Sequence, residues 1–180
     1  MKGAAPLDIT TSGSVFMQAG SRISARKISA DDEADGGGGA IRLDANGDKV
    51  VLCGSAANVE LDAACSTSAS TGATITADKN GEGVGDAGAI TIDVGSPQGS
   101  PPVGVLAMGA GSVVRANGRN AAGDIAISAG HSADIAGQVL SQVPSGATGV
   151  EAGREGASIS IKTGCGLTIA PTGVVSSLGR

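Results

Sequence analysis

Asp44, Asp93 and Arg42 offer the best prospect of chemistry on a sugar. Asp44 directly follows the strip Ile41-Arg42-Leu43, and Asp93 directly follows Ile90-Thr91-Ile92. If those strips stack, the two carboxylates become neighbours with the guanidinium beside them. Two carboxylates on one face are the working parts of glycosidases, and lyases of similar shape add Arg or Lys. Stacked carboxylates repel, which can raise a pKa or hold a cation. The competing reading is an ordinary solvated face. It is the stronger, because a sugar groove usually has an aromatic platform and this chain has one Phe, no Tyr and no Trp.

Other candidates are weaker. Asp31, Asp32, Glu33 and Asp35 precede four glycines, Gly36 to Gly39, and could offer calcium its six to eight oxygens. The spacing is neither that of an EF-hand nor that of calcium-binding nonapeptide repeats, so a solvated acidic loop is the preferred reading. Cys53, Cys65 and Cys165 include no Cys-x-x-Cys pair, and the single His131 cannot complete a usual zinc set. At most one internal disulfide is possible. Cys53 and Cys65 are the nearest pair, although three small buried or half-buried thiols are the plainer expectation. No Walker A motif and no Gly-x-Ser-x-Gly elbow is present, and one histidine makes a serine triad an unpromising reading. Thr74, Thr76 and Thr91 do not form the ranked ladder of an ice-binding face.

The elements that would position these residues are short strips with apolar residues at i and i+2. The first kind is Leu7-Asp8-Ile9, Ile41-Arg42-Leu43, Ile90-Thr91-Ile92, Ile125-Ala126-Ile127 and Ile159-Ser160-Ile161. Counted from Ile9, the intervals are 32, 49, 35 and 34, so a period of about 34 carries one long insertion. A second strip follows each: Val15-Phe16-Met17, Val50-Val51-Leu52, Val105-Leu106-Ala107, Ala133-Asp134-Ile135 and Leu167-Thr168-Ile169. A third begins at Ile23, Ile75, Val114, Val139 and Val175, and its second inward position is always small: Ala25, Ala77, Ala116, Ser141 and Ser177.

A unit of three short strands cannot bury its apolar side alone, whereas stacked copies can. The expected fold is therefore all-β: a right-handed parallel β-helix of about five coils, three short strands per coil, with Gly-rich loops, forming a single domain over residues 1–180. Excursions are expected at 26–39, 53–71, 96–102 and 142–156, with 26–39 and 142–156 the most mobile. Asn46-Gly47, Asn80-Gly81 and Asn117-Gly118 are expected to mark turns with positive φ. Composition agrees: Gly, Ala, Ser and Thr make up about half the chain, and only narrow aliphatic strips recur. The net charge of −5 supplies no basic field for nucleic acid. No apolar run approaches the roughly 20 residues of a membrane helix, and Met1 to Pro6 carry no apolar signal region.

The runs Gly-Asp-Ile-Ala-Ile-Ser-Ala-Gly (123–130) and Ala-Asp-Ile-Ala-Gly-Gln-Val-Leu-Ser (133–141) resemble repeats of filamentous-haemagglutinin-like and autotransporter-passenger-like bacterial surface proteins. Ala-Ser-Ile-Ser-Ile-Lys-Thr-Gly (157–164) and Leu-Thr-Ile-Ala-Pro-Thr-Gly-Val-Val-Ser-Ser (167–177) are similar. The resemblance covers the chain from about Leu7 and lies in repeat grammar. It implies an extracellular or outer-surface β-helix, a stalk or adhesive surface without catalysis. The expected partners are further coils of the same or another chain at both open ends, and a host or cell-surface glycan or protein. No cofactor is expected, calcium at the acidic run being the one candidate. No capping helix, secretion domain or membrane barrel is recognisable, so a piece of a longer solenoid is expected. The alternative function is a carbohydrate-active β-helix working from Arg42, Asp44 and Asp93.

Overall fold

A computed structural model of the chain describes residues 4–25, 37–55, 65, 70–79, 85–95, 103–119, 121–143 and 157–179. These residues contain fifteen strands and no helix. The first coil is β1 (Leu7–Thr11), β2 (Val15–Met17) and β3 (Arg22–Ser24). The second is β4 (Ile41–Ala45), β5 (Lys49–Leu52) and β6 (Thr74–Thr76), and the third β7 (Ile90–Val94), β8 (Val105–Met108) and β9 (Val113–Arg115). The fourth is β10 (Ile125–Ala129), β11 (Ser132–Ile135) and β12 (Gln138–Gln142), and the fifth β13 (Ile159–Thr163), β14 (Gly166–Ile169) and β15 (Val174–Leu178).

Each strand pairs in parallel with its equivalent in the next coil, giving three five-stranded sheets: β1-β4-β7-β10-β13, β2-β5-β8-β11-β14 and β3-β6-β9-β12-β15. The chain is a parallel β-helix of five coils with three strands each. The first sheet has the register that the strips predict. Leu7, Ile41, Ile90, Ile125 and Ile159 form one inward row, and Ile9, Leu43, Ile92, Ile127 and Ile161 another. Side chains alternate across a strand, so one in two points into the lumen. In the middle coils these rows are fully buried, and with the other two sheets they make one continuous core.

The second sheet corrects one register. The strip Val105-Leu106-Ala107 suggests Val105 and Ala107 as inward residues, but Leu106 pairs with Val50, and Met108 pairs with Leu52. A one-residue shift exchanges the faces of a strand. Here the apolar run Val105 to Met108 holds two alternating sets, and the set with more apolar surface, Leu106 and Met108, takes the lumen. The third sheet ends as expected at a tight corner. Ala25, Ala77, Ala116 and Ser141 are buried, and the Ser141 hydroxyl donates to the Gly123 carbonyl at 2.9 Å.

The glycines are a second correction. Positive φ among the described residues occurs at Gly20, Gly95, Gly104 and Gly111, not at Gly47 or Gly118. Gly47 and Gly118 are required for another reason: an added Cβ would run into the Gly13 backbone and the Ala121 carbonyl oxygen, respectively. The same crowding selects Gly88 and Gly123 ahead of β7 and β10, where a Cβ would meet the carbonyl oxygens of Gly39 and Gly88. Gly81 lies outside the described residues.

Two excursion boundaries differ from those expected. Gly38 N–H donates to the Asp86 carbonyl at 2.9 Å and Gly39 N–H to that of Ala25 at 2.8 Å, so both belong to the wall. Gln142 closes β12, and Val143 N–H donates to Leu178 at 3.1 Å. Residues 26–36, 56–64, 66–69, 96–102 and 144–156 lie outside the described residues, so the mobility expected of 26–39 and 142–156 falls largely there. The two ends of the stack also differ. In the fifth coil Leu167 and Ile169 are 46% and 49% exposed, whereas Met17, at the Ile169 position of the first coil, is buried.

Burial fixes the expected response to charge. Ile127→Asp places an unpaired carboxylate in the lumen and should cost on the order of 4 kcal/mol. Ala126→Asp, one residue away on the exposed face, should change stability by less than about 0.5 kcal/mol. Urea unfolding followed by circular dichroism checks the pair, and similar midpoints for the two variants would contradict the assigned inward face.

Candidate functional site

Stacking of β4 on β7 pairs Asp44 with Asp93 and Arg42 with Thr91, so the structure brings the three candidate residues together on the outer face of the first sheet. The Arg42 guanidinium lies 3.2 Å from Asp44 Oδ2 and 4.0 Å from Asp93 Oδ2. One cation therefore faces both carboxylates and offsets their repulsion. Thr10 and Ser128 flank the aspartates on the neighbouring strands, and Lys162 continues the row beyond Ser128. The face is open to solvent, and an exposed pair of this kind contributes at most about 1 kcal/mol. Among the described residues no group of three or more His, Cys, Asp or Glu could hold a metal ion. Asp31, Asp32, Glu33 and Asp35, the calcium candidates, lie outside the described residues.

A second charged cluster was not anticipated. Asp78 follows β6 on the outside of the third sheet, yet its side chain is only 3% exposed. Arg115 of β9 donates from Nε to Asp78 Oδ2 at 2.7 Å and brings Nη2 within 2.6 Å of the same oxygen. Asp78 Oδ1 accepts from the Asn117 N–H at 2.8 Å, and Asn117 Oδ1 accepts from the Gln142 N–H at 2.9 Å. Side-chain oxygens thus take up backbone donors of the next coil at the strand ends. Thr76 beside them is buried on the same outer side, with its Oγ1 3.2 Å from Ser24 Oγ and accepting from Arg22 Nη2 at 3.2 Å. The register pairs Thr76 with Arg115, so Asp78 is the diagonal neighbour of that arginine. A ladder of the third strips sets Thr76 level with Arg115 and so places Asp78 diagonal to that arginine in the sequence.

The cysteines correct a third expectation. Cys53 and Cys65 form a disulfide rather than standing as separate thiols, and Cys165 is a free, exposed thiol. Cys53 continues the outward row of β5, and no spacing signal in the sequence reveals that residue 65 returns to it. His131 occupies the corner between β10 and β11, with its N–H donated to Gly104 at 2.8 Å and its carbonyl accepting from Cys165 N–H at 2.7 Å. It serves the corner through its backbone.

The two charged clusters should respond differently to truncation. Asp78→Ala removes the partner of Arg115 and leaves the Asn117 N–H without its acceptor, so a loss of about 3 kcal/mol is expected, below the full value for a buried pair because Arg115 is partly exposed. Asp93→Ala should cost less than about 1 kcal/mol. Thermal unfolding of the two variants checks the order, and an equal or larger loss for Asp93→Ala would contradict it.

No family model matches the chain, and neither the curated proteins nor the solved structures provide a match.

Proposed function

We propose that the chain is a non-catalytic structural or adhesive β-helix segment displayed outside the cell. The observation that carries this reading is the uninterrupted stack: inward rows run through all five coils, and the outside bears a disulfide. Structural disulfides persist in oxidising surroundings such as the cell surface. The resemblance of 123–141 and 157–177 to bacterial surface repeats supports the same place. A rod of stacked coils holds its outer rows at a fixed spacing, which suits a stalk or a surface for binding a glycan or protein.

The fifth-coil edge supports the proposed partners. Its inward residues Leu167 and Ile169, together with the sides of β13, β14 and β15 that no described strand pairs, form a template for strand addition. Further coils, of the same or another chain, dock there in this reading. The rival reading, a carbohydrate-active β-helix, draws on Arg42 bridging Asp44 and Asp93.

Two measurements test the proposal. A membrane-impermeant maleimide should label Cys165 on intact source cells, and labelling only after lysis would overturn surface display. Incubation with acidic and neutral polysaccharides should release no reducing ends and no unsaturated uronate. Product formation abolished by Asp44→Asn or Asp93→Asn would overturn the non-catalytic reading in favour of its rival.

A further inference from the structure

The fifth coil presents an apolar edge, and the repeat itself specifies what fits it. Leu167, Ile169 and Val175 belong to the inward rows yet are 46%, 49% and 37% exposed, and no described strand lies beyond them. Through the registers of the stack they are the equivalents of Val15, Met17 and Ile23 in the first coil. A first coil set on the fifth would therefore lay aliphatic on aliphatic in the existing rows. The corner matches too. Residues 12–14 lie between the Thr11 and Val15 levels and residues 164–166 between those of Thr163 and Leu167, whereas the second coil spends one residue more, 46–49. The carbonyl just before each first strand accepts from the preceding coil, as Ala40 does from Leu7 N–H at 2.8 Å and Ser158 from Ile125 N–H at 2.9 Å. Pro6 holds that position in the first coil and still offers its carbonyl to Ile159 N–H, since proline lacks only the donor.

Charge chooses between the two edges that a second copy could present. Lys162 is exposed and forms no ion pair with a described residue. Thr10 of an added first coil would stand level with it, and the exposed Asp8 would be its diagonal neighbour. Arg115 reaches Asp78, and Arg42 reaches Asp93, across the same kind of diagonal. Two fifth coils facing each other have no such match, because residues 157–179 carry Lys162 and no carboxylate side chain.

We propose that the fifth-coil edge binds the first coil of a second copy of this chain, head to tail and in register. The inference rests on the reading that further coils dock at this edge, and it names the coil that does. A contact that repeats the coil-to-coil step does not close into a ring, so copies add into an open-ended rod. One corner limits its strength. Gly39, Gly88 and Gly123 stand two residues before the inner first strands, where a Cβ would meet a carbonyl oxygen of the preceding coil. The end coils carry Ala5 and Ala157 there. At the joint the Ala5 methyl faces the Ala157 carbonyl, so the joint is looser than the internal ones and association is reversible.

Sedimentation velocity of the chain should show a mass that rises with concentration. Ile169→Asp, at a site already half exposed, should abolish the rise with the strand signal in far-ultraviolet circular dichroism unchanged. Lys162→Glu should weaken association several-fold at low salt. A short bismaleimide applied to Gly13→Cys should join position 13 of one copy to Cys165 of the next. The two positions are level across the joint, Cys165 is an exposed thiol, and a Cβ at Gly13 meets only the Thr11 hydroxyl, at 3.7 Å. A chain that stays monomeric at every concentration would overturn both the proposal and the docking of further coils at this edge. Association in which Cys165 joins Cys165 would overturn the proposal alone, and so would association that Ile169→Asp leaves unchanged. Should Ile169→Asp not fold, Lys162→Glu and the cross-link still decide.

Discussion

A strand of three to five residues presents one to three aliphatic side chains to one face, and nothing within its own coil covers them along the rod. The next coil does. Ile125 is buried because Ile90 lies on one side of it and Ile159 on the other, and both pairings are set by the same parallel register. Dependence on neighbours runs through the whole molecule. It fixes the coil spacing, demands a Gly or a small residue wherever the walls converge, and places alternate residues on an outer surface with no part in the core. It also explains the difference between Ile135, buried in the fourth coil, and Ile169, half exposed in the fifth.

The outer surface follows a second constraint. Parallel stacking brings equivalent residues together, so a charge at one outward position meets whatever the next coil carries there. Asp44 meets Asp93, and the mismatch is relieved by Arg42 from the neighbouring row. Asp78 meets Asn117, whose N–H it accepts, and is reached diagonally by Arg115. The first arrangement is solvated and open; the second is buried and joins the coils where strand pairing stops. Their chemistry differs accordingly: Asp78 is a structural group, whereas Asp44 and Asp93 remain on an accessible face.

The sequence expresses the first sheet completely, since Ile41-Arg42-Leu43 and its equivalents have one set of large aliphatics and one set of polar or small residues. It is ambiguous at Val105 to Met108, where four successive apolar residues satisfy either alternation and only the volume of the lumen decides. Gly47 and Gly118 were legible as necessary glycines, but the cause is a close backbone approach from a neighbouring segment, which local turn grammar does not contain. Cys53 and Cys65 were legible only as the nearest possible pair, and Asp78 only through a ladder of the third strips. Cys65 returns to Cys53 from an insertion without periodicity, and Asp78 acquires its partner 37 residues away through the stack. Arg42, Asp44 and Asp93 were legible because they sit on the strips that define the repeat.

The central claim is that equivalent strips stack in parallel and in register around a shared lumen. Isotope labelling of isoleucine methyl groups tests it directly through nuclear Overhauser contacts. The account predicts contacts from Ile125 to Ile90 and Ile159, and from Ile127 to Ile92 and Ile161, within a single monomeric chain. Crossed contacts, such as Ile125 to Ile161 together with Ile127 to Ile159 and without the in-register set, would indicate antiparallel pairing and contradict it.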